Sequence, residues 1–305
     1  MTKDLAARRR ATLIEVAPRD GFQPIGPFIP TDDKVAFIEA AVAAGLRRIE
    51  IGSFVSPAAV PQLRDTAEVL ERTRALDGYD PQILVPNARG VALALAAGST
   101  HLVYVISASD AHNRNNVRRD TEVSIREYGE VVRGLPEGVR LRLNLATTFD
   151  CPFDGRMEPG FVLDRLARML DHRADVEVGL CDTTGRADPD HVASLSAACL
   201  RRWGGGGTRF VFHGHDTYGL GLANVAAAWH AGIDGFDAAF GGLGGCPFAP
   251  GATGNTASED VAWMFRRMGV ETGIDLDRLF ALAARAASLP GAQPGGRVRA
   301  ALSGA

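Results

Sequence analysis

The feature of this sequence that most constrains its fold is a regular alternation of two kinds of segment. Short runs rich in branched apolar residues recur eight times, and longer amphipathic segments rich in Ala, Leu and Arg separate them. The predicted strands are 12–17, 47–52, 82–86, 101–107, 140–146, 176–182, 209–215 and 235–240. The intervening segments, such as 33–44 and 60–76, have the pattern and length of helices.

This alternation predicts a parallel sheet, because each helix returns the chain to the start of the next strand. Eight strand–helix units in about 250 residues match a TIM (β/α)₈ barrel. We expect one domain over 1–305, with the barrel at about 12–270 and a short C-terminal helical extension at 271–305. A doubly wound sheet is the alternative, and it would spread the strand ends along an edge.

Polar residues stand where the predicted strands end, which is where a barrel enzyme carries its chemistry. They are Arg19 and Asp20 after the first strand, Glu50 in the second, Asp182 in the sixth, and His213 and His215 in the seventh. In a barrel these side chains would meet at one rim.

The two histidines lie one residue apart in FVFHGHDTYG, 210–219. Positions i and i+2 of a strand share a face, so His213 and His215 would point into the same space. A metal site and a hydrogen-bonded histidine pair that caps the strand both explain this spacing. With the Asp20 carboxylate and one further oxygen, the donor set would suit Mg²⁺, Mn²⁺ or another divalent ion.

A glycine-rich segment, 240–255, follows the eighth predicted strand and contains Cys246 and Asn255. Taken singly, Asn255 is best explained as the N-cap of the helix that follows. A thiol at Cys246 could reach a bound substrate on closure of such a loop. The segment lacks the lysine of a phosphate-binding loop, so a phosphate cradle is disfavoured.

Composition argues against several classes of function. A net charge of -3 and 23% charged residues give no basic surplus for nucleic acid, and no apolar run is long enough for a membrane span. The only lysines are Lys3 and Lys34, so Schiff-base chemistry has no interior nucleophile. Four cysteines without CxxC spacing predict a reducing, cytoplasmic environment.

Four motifs resemble those of the 3-hydroxy-3-methylglutaryl-CoA lyase family, within the metal-dependent TIM-barrel metallolyases: VAPRDGFQ, IEIGSFVSPAAVPQL, HGHDTYGLGLANV and GGLGGCPFAPGATGN. The resemblance runs from about residue 12 to residue 289, and the Gly-Cys-Pro segment is its most specific part. It implies divalent-metal ligands at Asp20, His213, His215 and Asn255. It also implies catalytic roles for Arg19, Cys246, His215, Glu50 and Asp182.

The implied reaction is cleavage of a 3-hydroxy-3-methylglutaryl-CoA-like thioester to acetyl-CoA and a keto acid, which is acetoacetate in leucine degradation. Citramalyl-CoA and longer 3-alkyl-3-hydroxyglutaryl thioesters are alternative substrates, and a Claisen-condensing synthase is an alternative enzyme. A barrel kept as a non-catalytic binding protein would have broken catalytic positions, and none is broken. The resemblance also suggests a homodimer.

The phosphates of coenzyme A require cationic contacts, for which the predicted loop HNRNNVRR, 112–119, is the best local candidate. Arg114, Asn116 and Arg118 are the expected contacts, and a solvated arginine cluster is the alternative.

Two departures from the family pattern lie beside the predicted substrate pocket. LATTFDCPFDG replaces a Val-Ser-Cys-Ala-type segment after the fifth strand, and CDTTG replaces GDTIG. They leave the acyl substituent open more than the reaction. Thr147, Thr148, Phe149 and Phe153 are expected to line the acyl site.

Overall fold

A computed structural model of the chain describes residues 10–245 and 253–303. Eight parallel strands form a closed barrel in which each strand pairs with the next and the last pairs with the first. They are β1 (Thr12–Glu15), β2 (Arg48–Ser53), β3 (Asp80–Val85), β4 (His101–Ser107), β5 (Arg140–Ala146), β6 (Glu177–Asp182), β7 (Arg209–Gly214) and β8 (Gly235–Ala238). The predicted TIM barrel is confirmed, and the doubly wound sheet is excluded.

Helices surround the barrel and cover its outer face. They are α1 (Thr31–Ala43), α2 (Thr66–Thr73), α3 (Ala88–Ala96), α4 (Asp110–Val117), α5 (Thr121–Gly134), α6 (Pro159–Leu170), α7 (Pro189–Trp203), α8 (Gly221–Ala231), α9 (Ser258–Arg267), α10 (Leu276–Ala287) and α11 (Val298–Ser303). Within the described residues, no helix has the length and hydropathy needed to span a membrane.

The strands begin and end within one or two residues of the predicted bounds. The difference at β1 has a local cause, because Ala17–Gly21 winds into one π-helical turn. The carbonyl of Val16 accepts the backbone N–H groups of Arg19, Asp20 and Gly21 in this turn. The turn carries Arg19 and Asp20 at the C-terminal rim of the barrel.

The predicted helix over 60–76 is wrong in its first part. Pro61–Leu63 forms a 3₁₀ turn, and α2 begins only at Thr66. The Thr66 hydroxyl donates to the Leu63 carbonyl at 2.8 Å and accepts the N–H of Ser53 at 3.1 Å. These contacts tie the connection to the end of β2.

The predicted loop over 112–119 is also wrong, because most of these residues belong to α4. Ser109 caps this helix by accepting the N–H of His112 at 3.0 Å. The helix ends at Val117, and the positive φ of 58° at its C-cap, Arg118, stops its continuation.

The inside of the barrel is charged rather than purely apolar. Arg142 is fully buried on β5 and donates to both carboxylate oxygens of Asp237 on β8, at 2.8 and 2.6 Å. Its Nε donates to Asn144 Oδ1 at 2.7 Å. Towards the strand N-termini, Arg48 donates to Glu177 at 2.5 and 3.0 Å. Because these two arginines have carboxylate partners, the interior can be polar here without leaving these charges unpaired.

Candidate metal centre and substrate cavity

Three side chains converge at the C-terminal rim from two distant parts of the chain. Asp20 Oδ2 lies 3.9 Å from His213 Nε2 and 3.7 Å from His215 Nε2. The two Nε2 atoms are 3.2 Å apart. One ligand atom from each residue therefore lies within 4.8 Å of the other two, so a single ion could contact all three.

Asn255 completes the group, and the structure overturns its explanation as a helix cap. Helix α9 begins at Ser258, with Ala257 as its N-cap, so Asn255 stands outside it. The amide nitrogen of Asn255 donates to Asp20 Oδ2 at 2.8 Å and to the Leu243 carbonyl at 3.0 Å. Its Oδ1 is buried and has no hydrogen-bond partner within the described residues. An unpaired amide oxygen beside a carboxylate and two imidazoles fits a divalent cation.

The orientation of His213 is fixed by a residue that the sequence analysis missed. His213 Nδ1 lies 3.0 Å from Asp237 Oδ2, and Arg142 holds the same carboxylate. A carboxylate at Nδ1 favours the proton there and leaves the Nε2 lone pair facing Asp20 and His215. The available signal was the acidic residue in the middle of the apolar strand GFDAAF, since a buried charge needs a reason.

Arg19 connects Asp20 of the candidate metal centre to Glu50. Its Nε donates to Glu50 Oε1 and its Nη1 donates to Asp20 Oδ1. Burial by itself would raise the pKa of Asp20, but Arg19 and the two histidines lower it well below its usual range. Asp20 is therefore ionised at neutral pH, which is the form in which a carboxylate can bind a metal ion. Burial raises the pKa of Glu50 although Arg19 opposes the shift.

A cavity of about 900 Å³ opens beside these groups at the C-terminal ends of the strands. Its inner end is lined by Arg19, Asp20, His213 and His215, together with side chains of β3 to β6. Its outer part is lined by 58–60, by Asn87 and by the face of α4 that carries His112, Asn115 and Asn116. A volume of this size is within the range of pockets that enclose an organic ligand.

The structure separates the three residues expected to contact coenzyme A. Asn116 and Arg118 line the cavity, whereas Arg114 does not. The Nε of Arg114 donates to Asp120 on the outer surface instead. The helical form of α4 explains this difference, because Asn116 and Arg114 lie on different faces of one helix.

The residues expected at the acyl site also lie elsewhere. Phe149 packs edge-to-face against Phe212 in the core, and Phe153 is 48% exposed. Thr147 and Thr148 are buried and bond to backbone carbonyls, and none of the four lines the cavity. Strand β5 contributes Asn144 and Ala146 to the lining instead.

Asp182 is buried at the end of β6, outside the cavity lining. Both of its carboxylate oxygens accept the N–H of Ala187, at 3.3 Å each. Burial raises the pKa of Asp182 to about 7. Cys246, the remaining predicted catalytic residue, lies outside the described residues.

Comparisons with known proteins decide the family. The HMGL-like family model matches residues 10–285. The chain belongs to the HMGL-like family. One relative is the (R)-citramalyl-CoA lyase of Chloroflexus aurantiacus, which is 42% identical over 284 residues, or 88% of each chain. Another is a hydroxymethylglutaryl-CoA lyase of Bacillus subtilis, which is 37% identical and covers 90% of this chain and 91% of that one.

Solved structures of the HMGL-like family have the same fold as this chain. An HMG-CoA lyase from Acinetobacter baumannii, in complex with coenzyme A and 3-methylmalate, superposes with a TM-score of 0.90. It is 37% identical, and the match covers 99% of this chain and 97% of that chain. The resemblance seen in the four motifs is therefore confirmed.

Proposed function

We propose that this protein is a metal-dependent carbon–carbon lyase that cleaves a 3-hydroxy-3-methylglutaryl-CoA-like thioester to acetyl-CoA and a keto acid. The observation that carries this proposal is the meeting of Asp20, His213 and His215 within 4.8 Å, beside Arg19 at the inner end of a large cavity. Relatives named for the cleavage of two acyl-CoA compounds support the same class of reaction.

The ion would be held by one carboxylate, two imidazoles and one amide oxygen, from Asp20, His213, His215 and Asn255. We propose Mg²⁺ or Mn²⁺, because oxygen and imidazole donors without thiolate suit these ions. When bound, such an ion acts as a Lewis acid that polarises substrate oxygens and lowers the pKa of a hydroxyl.

The reaction makes three demands on the protein. The hydroxyl on C3 loses its proton, and the C2–C3 bond breaks as the C3 carbonyl forms. The bonding electron pair moves into the thioester enolate, which then takes a proton at carbon. The electron count closes without an oxidant or reductant, in agreement with the class of lyases.

Arg19 is suited to the developing enolate. Its guanidinium is permanently charged, lines the cavity and is oriented by Glu50 and Asp20. A fixed cation at the thioester oxygen would stabilise charge that appears only in the transition state. Glu50 thus acts through Arg19, and we propose that Asp182 supports the rim from behind through the Ala187 backbone.

Proton transfer is assigned to His215 and Cys246. Because Nε2 of His215 would bind the ion, its proposed role as a proton relay rests on the family resemblance alone. We propose Cys246 as the donor of a proton to the enolate, on the family resemblance alone. For coenzyme A, we propose contacts from Asn116 and Arg118 at the outer part of the cavity. The homodimer stays a prediction, which light scattering of the purified protein would test.

The test uses purified protein, a chelator and three thioesters: 3-hydroxy-3-methylglutaryl-CoA, citramalyl-CoA and a longer 3-alkyl-3-hydroxyglutaryl-CoA. We expect release of acetyl-CoA from at least one thioester, loss of this activity on chelation, and recovery with Mg²⁺ or Mn²⁺. Asp20→Asn is the matched variant and should resist recovery. Cleavage that is indifferent to chelation, or no cleavage of any of the three, would refute the proposal. Consumption of acetyl-CoA with a 2-oxo acid would favour the condensing synthase instead.

A further inference from the structure

The strand β6 places an unusual side chain beside the proposed metal ligands. Cys181 pairs in parallel register with His213 on β7, so the two side chains point to the same face of the barrel wall. Cys181 lines the inner end of the cavity and is 5% exposed. Cys181 is the first residue of the segment CDTTG, where the family resemblance implies glycine.

Cys181 is one of four apolar side chains that line the cavity from neighbouring strands. Leu84 on β3, Val105 on β4, Ala146 on β5 and Cys181 on β6 line the cavity from four adjacent strands. We call these four residues the acyl wall. The acyl wall begins at Cys181, which pairs with His213, and continues over β5, β4 and β3.

The cavity cannot deepen beneath the acyl wall at Cys181. Gly179 stands two residues before Cys181 on β6 and therefore on the same face of the strand. A Cβ at Gly179 would lie 2.2 Å from Asn144 Oδ1. Asn144 is held in place by Arg142 Nε at 2.7 Å. Any volume that the Cys181 side chain occupies is therefore taken from the substrate, because neighbouring groups leave no space below.

The thiol also acts as apolar volume rather than as a charge. Burial raises the pKa of Cys181 far above that of a free thiol, although Arg142 opposes the shift. Its Sγ lies 3.6 Å from the Gly179 carbonyl on its own strand. A neutral thiol there neither repels nor neutralises a substrate carboxylate, and only its bulk changes the fit.

We propose that Cys181 shortens the acyl end of the cavity and selects thioesters whose hydroxyl and distal carboxylate share one carbon, over those with an added methylene between them. This inference rests on the proposed lyase function and narrows its substrate class. Citramalyl-CoA is a thioester of the first kind, and 3-hydroxy-3-methylglutaryl-CoA is one of the second. A tight apolar pocket discriminates one methylene by about 10- to 200-fold.

The test compares kcat/KM for these two thioesters in the metal-loaded enzyme. We expect wild type to prefer citramalyl-CoA by about 10-fold or more. Cys181→Gly should shift the ratio at least about 10-fold towards 3-hydroxy-3-methylglutaryl-CoA. Cys181→Ser keeps the side-chain shape and most of its volume, and it should keep most of the preference of the wild type.

Binding of the free acids gives a second readout, which does not depend on turnover. Calorimetry with Mg²⁺ present should show that Cys181→Ala, which keeps a normal strand residue, gains affinity for 3-hydroxy-3-methylglutarate relative to citramalate. This variant also covers the case in which Cys181→Gly fails to fold.

Each result separates the two proposals. Cleavage of neither of these two thioesters by the wild type would overturn the role of Cys181, and it would refute the lyase function only if the longer 3-alkyl-3-hydroxyglutaryl-CoA is not cleaved either. A wild type that cleaves the longer thioester as well as the shorter one would overturn only the role of Cys181. So would an unchanged ratio in Cys181→Gly and Cys181→Ala, or a Cys181→Ser variant that shifts as far as Cys181→Gly.

Discussion

His213 depends on a carboxylate 24 positions further along the chain. Asp237 contacts His213 Nδ1 at 3.0 Å and is itself held by Arg142. Replacing Asp237 by Asn keeps the shape but removes the charge that favours the Nδ1–H form. We expect Asp237→Asn to weaken Mn²⁺ binding by about 10- to 100-fold. Calorimetric titration of the metal-free protein would measure this loss.

Asp234→Asn is the matched control, because Asp234 is exposed three positions before Asp237. It makes the same chemical change outside the group of ligands and should leave Mn²⁺ affinity unaltered. Equal affinities in both variants would show that Asp237 does not orient His213.

Arg19 offers a sharper separation between binding and chemistry. Arg19→Met removes a charge that faces the cavity but none of the proposed ligand atoms. We expect kcat to fall by about 10²- to 10³-fold or more, with little change in Mn²⁺ affinity. Arg19→Lys, which keeps the charge and loses the fork to Glu50 and Asp20, should recover only part of the rate. A mild effect of Arg19→Met would give Arg19 a structural role instead.

Cys246 is a candidate whose role stays a prediction. Cys246→Ser replaces the thiol by a much weaker acid of similar size. We expect a slower enzyme with an unchanged melting temperature, measured by steady-state assay and thermal unfolding. A variant as fast as the wild type would remove Cys246 from the proposed chemistry.

Helix α4 and its C-cap carry polar side chains that face either the cavity or the outer surface. Asn116 and the following Arg118 line the cavity, while Arg114 pairs with Asp120 outside it. Removing a phosphate contact should weaken ground-state binding, so Arg118→Ala should raise KM for the acyl-CoA with little effect on kcat. Arg114→Ala also removes one arginine, and it should leave KM unchanged. Equal effects of the two variants would indicate long-range attraction rather than contact.

We expect the stability of the folded molecule to depend on pH through two buried carboxyl groups. Burial raises the pKa of Glu15 from 4.5 to about 8 and that of Glu259 from 4.5 to about 7. At a pH between the ordinary pKa of 4.5 and the raised pKa of each group, the folded state keeps a proton that the unfolded chain releases. The stability linked to these groups is therefore fully present below pH 4.5 and is lost as pH rises through 7 to 8.

Glu15→Gln isolates this effect, because glutamine keeps the shape without the titration. Glu15 accepts the N–H of Ala17 at 2.9 Å and that of Phe240 at 3.0 Å, which joins β1 to the end of β8. We expect the melting temperature of Glu15→Gln, relative to wild type, to rise by a few degrees between about pH 5 and pH 9. Glu39→Gln, at an exposed position of α1, should follow the wild type at every pH. Parallel curves for Glu15→Gln would contradict the raised pKa.

The strand and helix pattern is the part of the structure that local sequence predicts well. Each strand is a short apolar run, and eight of them with intervening helices leave few arrangements other than a barrel. The shared face of His213 and His215 follows from the two-residue repeat of a strand. Covalent spacing alone fixes that geometry, so no knowledge of the remaining chain is needed.

Tertiary packing decided the rest, because the contacts concerned join residues far apart in the chain. Asn255 bonds to Asp20 across 235 positions, and this contact, not a helix cap, defines its surroundings. Asp237 reaches His213 only because β8 lies beside β7 in the closed barrel. The bulk of Cys181 matters because Asn144 fills the space below it, and that packing is visible only once the strands are assembled.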